Sequence, residues 1–164
     1  MSAIKNEAKI KNPIVKKVRE QLGHRAEWLY YLCDEAEKQG LDPKSFAPAA
    51  ITRCGNFHGT HLSVNGTEKS LKSLKKKLFS KAAQWMFEME VTECRDDLLT
   101  IDFHYCPLVD AWKESGADDA TISFLCDCAM CGDAAIARAF GAELELPETI
   151  ARGSDVCKLR FVKK

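Results

Sequence analysis

The hydrophobic period changes at Phe87, which restricts the chain to folds that join helices to an antiparallel sheet. From Phe87 onward Phe87, Met89 and Val91 alternate with Glu88, Glu90 and Thr92. After Arg95-Asp96-Asp97, Leu99, Ile101, Phe103 and Tyr105 alternate with Thr100, Asp102 and His104. A period of two gives a strand one apolar face, so two such runs around a short acidic turn predict a hairpin. Near the C-terminus Leu144 and Leu146, then Cys157, Leu159 and Phe161, repeat the pattern around Arg152-Gly153-Ser154-Asp155, predicting a second hairpin.

Between and before the hairpins the spacing is helical. Asn12-Pro13 offers a cap and a first-turn imino acid, and Ile14, Val18, Leu22, Leu29, Cys33 and Ala36 follow at helical intervals, predicting a helix Pro13–Gln39 ended by Gly40. Its weak point is Gly23. Leu41 to Gly66 is rich in turn formers, including Cys54-Gly55-Asn56-Phe57-His58-Gly59-Thr60-His61, and reads as an irregular connection with a short helix through Ile51. Thr67 is placed to cap a helix carrying Leu71, Leu74, Leu78, Ala82, Trp85 and Met89, with Lys72, Lys75, Lys76 and Lys77 off that stripe on a solvated face. Cys106-Pro107 opens a short helix to Ser115, and a longer one runs from Asp118 to Phe140 before Gly141.

The expectation is one α+β domain over residues 1–164, with a mainly helical part (1–86) and a hairpin-helix-helix-hairpin part (87–164). Its hairpins, Phe87–Tyr105 and Ala142–Val162, would form one antiparallel sheet against which Pro13–Gln39 and Asp118–Phe140 pack. A chain of 164 residues can bury a sufficient core without disulfides.

Lys and Arg number 24, as do Asp and Glu, so no bulk charge draws the chain to nucleic acid or anionic membrane. Local charge is segregated: residues 1–25 carry a net +5, 68–81 a net +5, 152–164 a net +4, and 82–151 a net −12. Such blocks are expected to solvate opposite faces, or to attract each other across the fold or between subunits. Without a leader or an apolar run of about 18 to 20 residues, the expected location is the cytoplasm. There the eight cysteines read as thiols, ligands or catalysts before disulfides.

Cys106 starts a helix, where backbone N–H groups lower a thiol's pKa, and His104 lies two residues back. Cys128 and Cys131 share a helix face, Cys126 and Asp133 point elsewhere, and Cys157 faces inward by alternation. Two thiols on one helix could pair in catalysis or hold a metal, although structural zinc sites use two separated pairs. His58 and His61 read as surface or structural. No serine-nucleophile motif, phosphate loop or zinc-protease signature occurs.

Tyr105-Cys106-Pro107, Cys126 and Cys128, Gly132-Asp133, and the ending Arg152-Gly153-Ser154-Asp155-Val156-Cys157-Lys158-Leu159-Arg160-Phe161 together resemble the L-2-amino-thiazoline-4-carboxylic acid hydrolase family. The Gly-x-x-x-Cys ending is also similar to that of 4-vinyl reductase ligand-binding domains. In the first family an aspartate is expected three residues after the helical cysteine; here Cys131 stands there, and the nearest acids are Asp127 and Asp133. The resemblance implies a hydrolase that opens a small cyclic C=N substrate to a carbamoyl cysteine without a cofactor. Cys106 would be the nucleophile and His104 or Asp133 the proton carrier. Cys128, Cys131 and Cys157 would wall the pocket, and Arg138 and Arg152 would meet the substrate carboxylate. The alternative is a non-enzymatic sensor or carrier using the same thiols for a small ligand, a metal or redox change. A small-molecule substrate is the expected partner, and a homodimer is left open.

Overall fold

Asn12 sets where the first helix begins, its Oδ1 accepting the backbone N–H groups of Ile14 (2.9 Å) and Val15 (3.2 Å). In the computed structural model, which describes residues 2–64 and 68–163, helix α1 (Pro13–Lys38) follows an extended N-terminal arm. Then come α2 (Ala47–Ser63), α3 (Leu71–Leu78), α4 (Lys81–Phe87), β1 (Met89–Cys94), β2 (Leu98–Phe103), α5 (Pro107–Glu114), α6 (Asp119–Ala139), β3 (Ala142–Glu148) and β4 (Cys157–Lys163). The strands form one antiparallel sheet in the order β1-β2-β4-β3, so the two expected hairpins join through β2 and β4. Leu99 lies opposite Phe161, and Phe161 opposite Leu144. The inward face of Leu99, Ile101, Leu159 and Phe161 is closed by Leu71, Leu74, Phe79, Ile122, Leu125 and Phe140. On the outer side Arg160 pairs with Glu145 (2.9 Å) and Lys158 with Glu148 (3.0 Å). Lys72 reaches Asp96 at 2.8 Å. The opposite charge blocks thus meet across the fold.

Three expectations change. Residues 47–63, read as a connection, form the helix α2, because Gly55 and Gly59 serve a close approach to α6 rather than a turn. A Cβ on Gly55 would stand 2.3 Å from the Gly132 carbonyl oxygen and 2.8 Å from the Ala135 Cβ, and one on Gly59 would stand 2.9 Å from the Ala139 Cβ. The helix expected from Thr67 to Met89 is two helices. Thr67 lies outside the described residues, Ser70 caps α3, and the chain breaks at Phe79, whose ring is buried against Phe103 and Phe161. Ser80 then caps α4, and Trp85 is left 56% exposed. Finally, α1 packs chiefly on α5 rather than on the sheet: a Cβ on Gly23 would stand 3.2 Å from the Ala111 Cβ, and Trp112 donates its indole N–H to the Ala26 carbonyl (2.8 Å). Gly23, the weak point of the helix by propensity, is also where α1 comes closest to α5.

Helix α6 is long and apolar enough to cross a membrane, the one such helix among the described residues, where no apolar run of that length was expected. Here Ile122, Leu125, Cys128, Ala135, Ile136 and Ala137 are buried against the rest of the domain.

A buried ion pair ties the arm to both layers. Arg19 donates to the carbonyls of Met86, Ile10 and Trp85 and to Glu88 Oε1 (3.0 Å), and its guanidinium lies 4.3 Å from the centre of the Tyr105 ring. Glu88, in the left-handed region at φ 50°, accepts the backbone N–H groups of Lys9 (2.7 Å) and Ile10 (2.8 Å). Burial pushes its carboxyl up, but the Ile10 N–H, the Arg19 guanidinium and the Lys9 N–H outweigh it and hold it below its ordinary 4.5. The stabilisation is therefore complete above about pH 4.5 and lost as pH falls through the lower folded value.

Replacing Arg19 with Met should cost about 3–5 kcal/mol in denaturant unfolding, because it strands a buried carboxylate. It should also weaken the dependence of stability on pH below 4.5. Gly55→Ala should cost about 1–3 kcal/mol, since the opposing atoms are backbone and cannot rotate aside.

Candidate functional site

Four cysteines, Cys106, Cys128, Cys131 and Cys157, were expected to share one pocket; the fold divides them. Cys106, at the start of α5, Cys126, on α6, and Cys157, on β4, are neighbours: Cys157 disfavours ionisation of Cys106, and both disfavour that of Cys126. Cys128 instead neighbours Cys33 of α1 and Cys131. Thus Cys126, expected to point elsewhere, takes the place assigned to Cys128 and Cys131. Cys33 borders a cavity of about 350 Å³ beside α1 and α6, and the other five of these thiols line neither it nor the three cavities described below. All eight cysteines are free, and among the described residues no three His, Cys, Asp or Glu side chains converge to hold a metal ion.

The expected activation of Cys106 is also reversed. Its sulfur does receive the backbone N–H groups of Val109 and Leu108, and Asn6 clasps its backbone, accepting from the Cys106 N–H and donating to its carbonyl (both 2.9 Å). A helix terminus is worth about 1 kcal/mol, less than one tenfold step in ionisation. Desolvation by the surrounding side chains, reinforced by Cys157, dominates and pushes the thiol of this part-buried residue up to about 12. Burial raises Cys126 and Cys157 too, the latter accepting the Ile150 N–H at 3.2 Å. Near neutrality all three are therefore held as neutral thiols.

The remaining expected residues scatter. His104 faces Glu90 at 3.6 Å beside the edge strand. Arg152 pairs with Asp127 at 2.6 Å, both half exposed, and Arg138 is exposed in the last turn of α6. Cys131 donates to the Asp127 carbonyl (3.3 Å).

Asp133 is different. It lies in an apolar cleft of about 190 Å³ between α1, α2, α5 and α6, with Leu29, Ile51, Leu108, Trp112, Ala129 and Ile136 as walls. Arg25, Cys54 and His58 stand at its exposed side. Asp133 is part-buried and takes no hydrogen bond from the described residues, so its carboxyl is solvated only from the open side of the cleft. Burial accordingly pushes it up to about 6, with Arg25 drawing it partway back. A carboxyl so tuned can take or give a proton near neutrality, and an adjacent guanidinium can hold an anion. Larger spaces are less suited. The 600 Å³ cavity under the arm is bordered by Arg19, Tyr105 and Asp110, already bound to partners, the Tyr105 hydroxyl donating to Asp110 (2.9 Å). The 990 Å³ groove beside β1, with Lys72, Lys75, Lys76 and Lys81, is open. Arg25 comes from the expected helix α1, where its exposed position gave no sign of a site, and His58, expected to be surface or structural, is brought to α1 by the helix α2.

Six helices gathered around one four-stranded antiparallel sheet make a compact α+β domain. The chain belongs to the L-2-amino-thiazoline-4-carboxylic acid hydrolase family, whose model matches residues 7–161. The match includes the N-terminal helices as well as the C-terminal part where the sequence motifs lie. No curated protein matches the chain. Among solved structures, a trafficking protein particle complex subunit 3 from Naegleria fowleri, covalently bound to palmitic acid, is similar with a TM-score of 0.57 and 15% identity. The likeness covers 91% of this chain and 96% of that one, and shows a shared fold.

Alkylation at neutral pH followed by peptide mapping should leave Cys106 unmodified in the folded protein and label it once urea is added. Rapid labelling of the native protein would mean a far larger thiolate fraction than a pKa of about 12 allows.

Proposed function

We propose that the protein hydrolyses a small cyclic C=N substrate of the amino-thiazoline carboxylate kind, with Asp133 as the proton-transfer group. Family membership supports the reaction class, and the observation that carries the choice of site is the unpartnered Asp133 carboxyl in its small cleft. In this reading Arg25 pairs with the substrate carboxylate and the apolar walls of Leu29, Trp112 and Ile136 hold the ring. The Asp133 carboxylate takes a proton from water as its oxygen bonds to the carbon between nitrogen and sulfur. The carbon–sulfur bond then breaks and the electron pair leaves with sulfur, Asp133 returns its proton to that sulfur, and the proton left on the added oxygen passes to the former ring nitrogen. The product is a carbamoyl cysteine, and substrate plus water account for every atom. No thiol need act as nucleophile, which agrees with the burial of Cys106.

The solved relative's long acyl ligand suggests a lipid carrier as a second reading. A cleft of about 190 Å³, below the roughly 300–1,000 Å³ of drug-sized sites, favours the small substrate instead.

With L-2-amino-thiazoline-4-carboxylate as substrate, turnover by the wild-type protein should rise with pH through about 6 as Asp133 becomes a base. Asp133→Asn should lower kcat by about 10²–10⁴-fold. Cys106→Ser, folded by circular dichroism, should stay within about threefold of wild type. Full activity in Asp133→Asn, or its loss in folded Cys106→Ser, would return the reaction to the thiol.

A further inference from the structure

The mouth of the Asp133 cleft holds a thiol that the proposed reaction does not use. Of the eight cysteines only Cys54 is exposed; Cys94, Cys106 and Cys131 are part-buried and the other four are buried. Its place over the cleft is set by the crossing of α2 on α6. Gly55, the next residue, meets Gly132 so closely that a Cβ there would stand 2.7 Å from the Gly132 Cα, and Asp133 follows Gly132. Backbone lies against backbone at this point, so Cys54 and Asp133 flank one fixed crossing and line one cleft.

Two more side chains complete the mouth. His58 stands four residues after Cys54, one turn along the same face of α2, and Arg25 comes from α1. The side chains of Cys54, His58 and Arg25 make no hydrogen bond among the described residues. Arg25 is nonetheless near enough to Asp133 to favour its ionised form, so the positive charge reaches into the cleft. A thiol beside a base is the arrangement that makes sulfur a nucleophile, and a guanidinium with free donors holds a carboxylate. The cleft of about 190 Å³ has room for a group the size of an amino acid.

We propose that Cys54 is a thiol–disulfide exchange site for small disulfides bearing a carboxylate, that Arg25 selects the carboxylate, and that the half left on Cys54 closes the cleft over Asp133. His58 takes the Cys54 proton, the Cys54 sulfur bonds to the nearer sulfur of the disulfide, and the disulfide's own S–S bond breaks. The electron pair leaves with the far sulfur, which takes the proton from His58 and departs as a thiol. The small disulfide is the oxidant, its departing half is reduced, and nothing else is consumed. The exchange rests on the cleft mouth alone. Closure as regulation rests on the functional reading above, under which the product is itself a carboxylate-bearing thiol and its disulfide would feed back on the enzyme.

The reduced native protein is mixed with cystine, with the disulfide of carbamoyl cysteine, or with neutral 2-hydroxyethyl disulfide, and followed by intact mass and peptide mapping. Both carboxylate disulfides should add one half-disulfide, at Cys54, about tenfold faster than the neutral one, the worth of one charged hydrogen bond. Arg25→Gln should still react but lose that preference, His58→Gln should slow all three disulfides alike, and Cys54→Ser should take up nothing. Turnover of L-2-amino-thiazoline-4-carboxylate by the wild type should fall in proportion to the adduct and return with dithiothreitol. In Cys54→Ser the turnover with disulfide should equal that of the same variant without it. No adduct, an adduct at another cysteine, or equal rates with the neutral disulfide would overturn the exchange site whatever the enzyme assay shows. An adduct that leaves turnover intact would overturn the closure, and faster uptake of cystine than of the product's disulfide would overturn the feedback. A folded wild type without any turnover would refute the functional reading, while the mass spectra would still decide the exchange site.

Discussion

The Arg19–Glu88 pair is the joint on which the N-terminal half of the structure depends. It binds the arm through Lys9 and Ile10, the end of α4 through Trp85 and Met86, and the start of β1 through Glu88 itself. The same guanidinium lies over Tyr105, whose neighbour Cys106 is held by Asn6 of that arm. A buried ion pair seldom contributes much net stability, because desolvation offsets its Coulomb energy. Its value is specificity: a guanidinium with this many acceptors fits only one placement of arm, helix and strand.

The sheet was legible because a period of two is local, and because the strand-ending Tyr105-Cys106-Pro107 and Gly141 mark its boundaries. Helix α2 was not, since Gly55 and Gly59 look like turn residues until Gly132 and Ala135 are seen against them. The meaning of a glycine in that stretch lies about 75 residues away in the chain, where no spacing rule reaches. The break at Phe79 was hidden for a related reason. Helical periodicity continues through it, and only the burial of its ring between two strands shows why the backbone turns.

The site was half legible. Asp133 could be nominated as an acid near the helical cysteines, but its partners come from α1 and from the unread α2. The thiols misled because position at a helix start argues for a reactive cysteine, while depth inside the domain argues against one. Depth is a property of the assembled fold, and here it is the larger effect. The grouping of Cys106, Cys126 and Cys157 likewise depends on how α6 crosses the sheet, which helical spacing alone leaves free.

The ends of the sheet bear on how the protein behaves in a crowded solution. Both outer strands depart from regular pairing, β1 between Val91 and Glu93 and β3 between Glu145 and Glu148. The first carries Glu90 and Glu93, and the second carries Glu143, Glu145, Pro147 and Glu148. Kinks, acidic side chains and proline make an edge a poor template for a strand from another molecule. With equal numbers of acidic and basic residues, the chain has little overall repulsion to keep copies apart near neutral pH. Resistance to edge-to-edge aggregation is therefore built into the borders of the sheet.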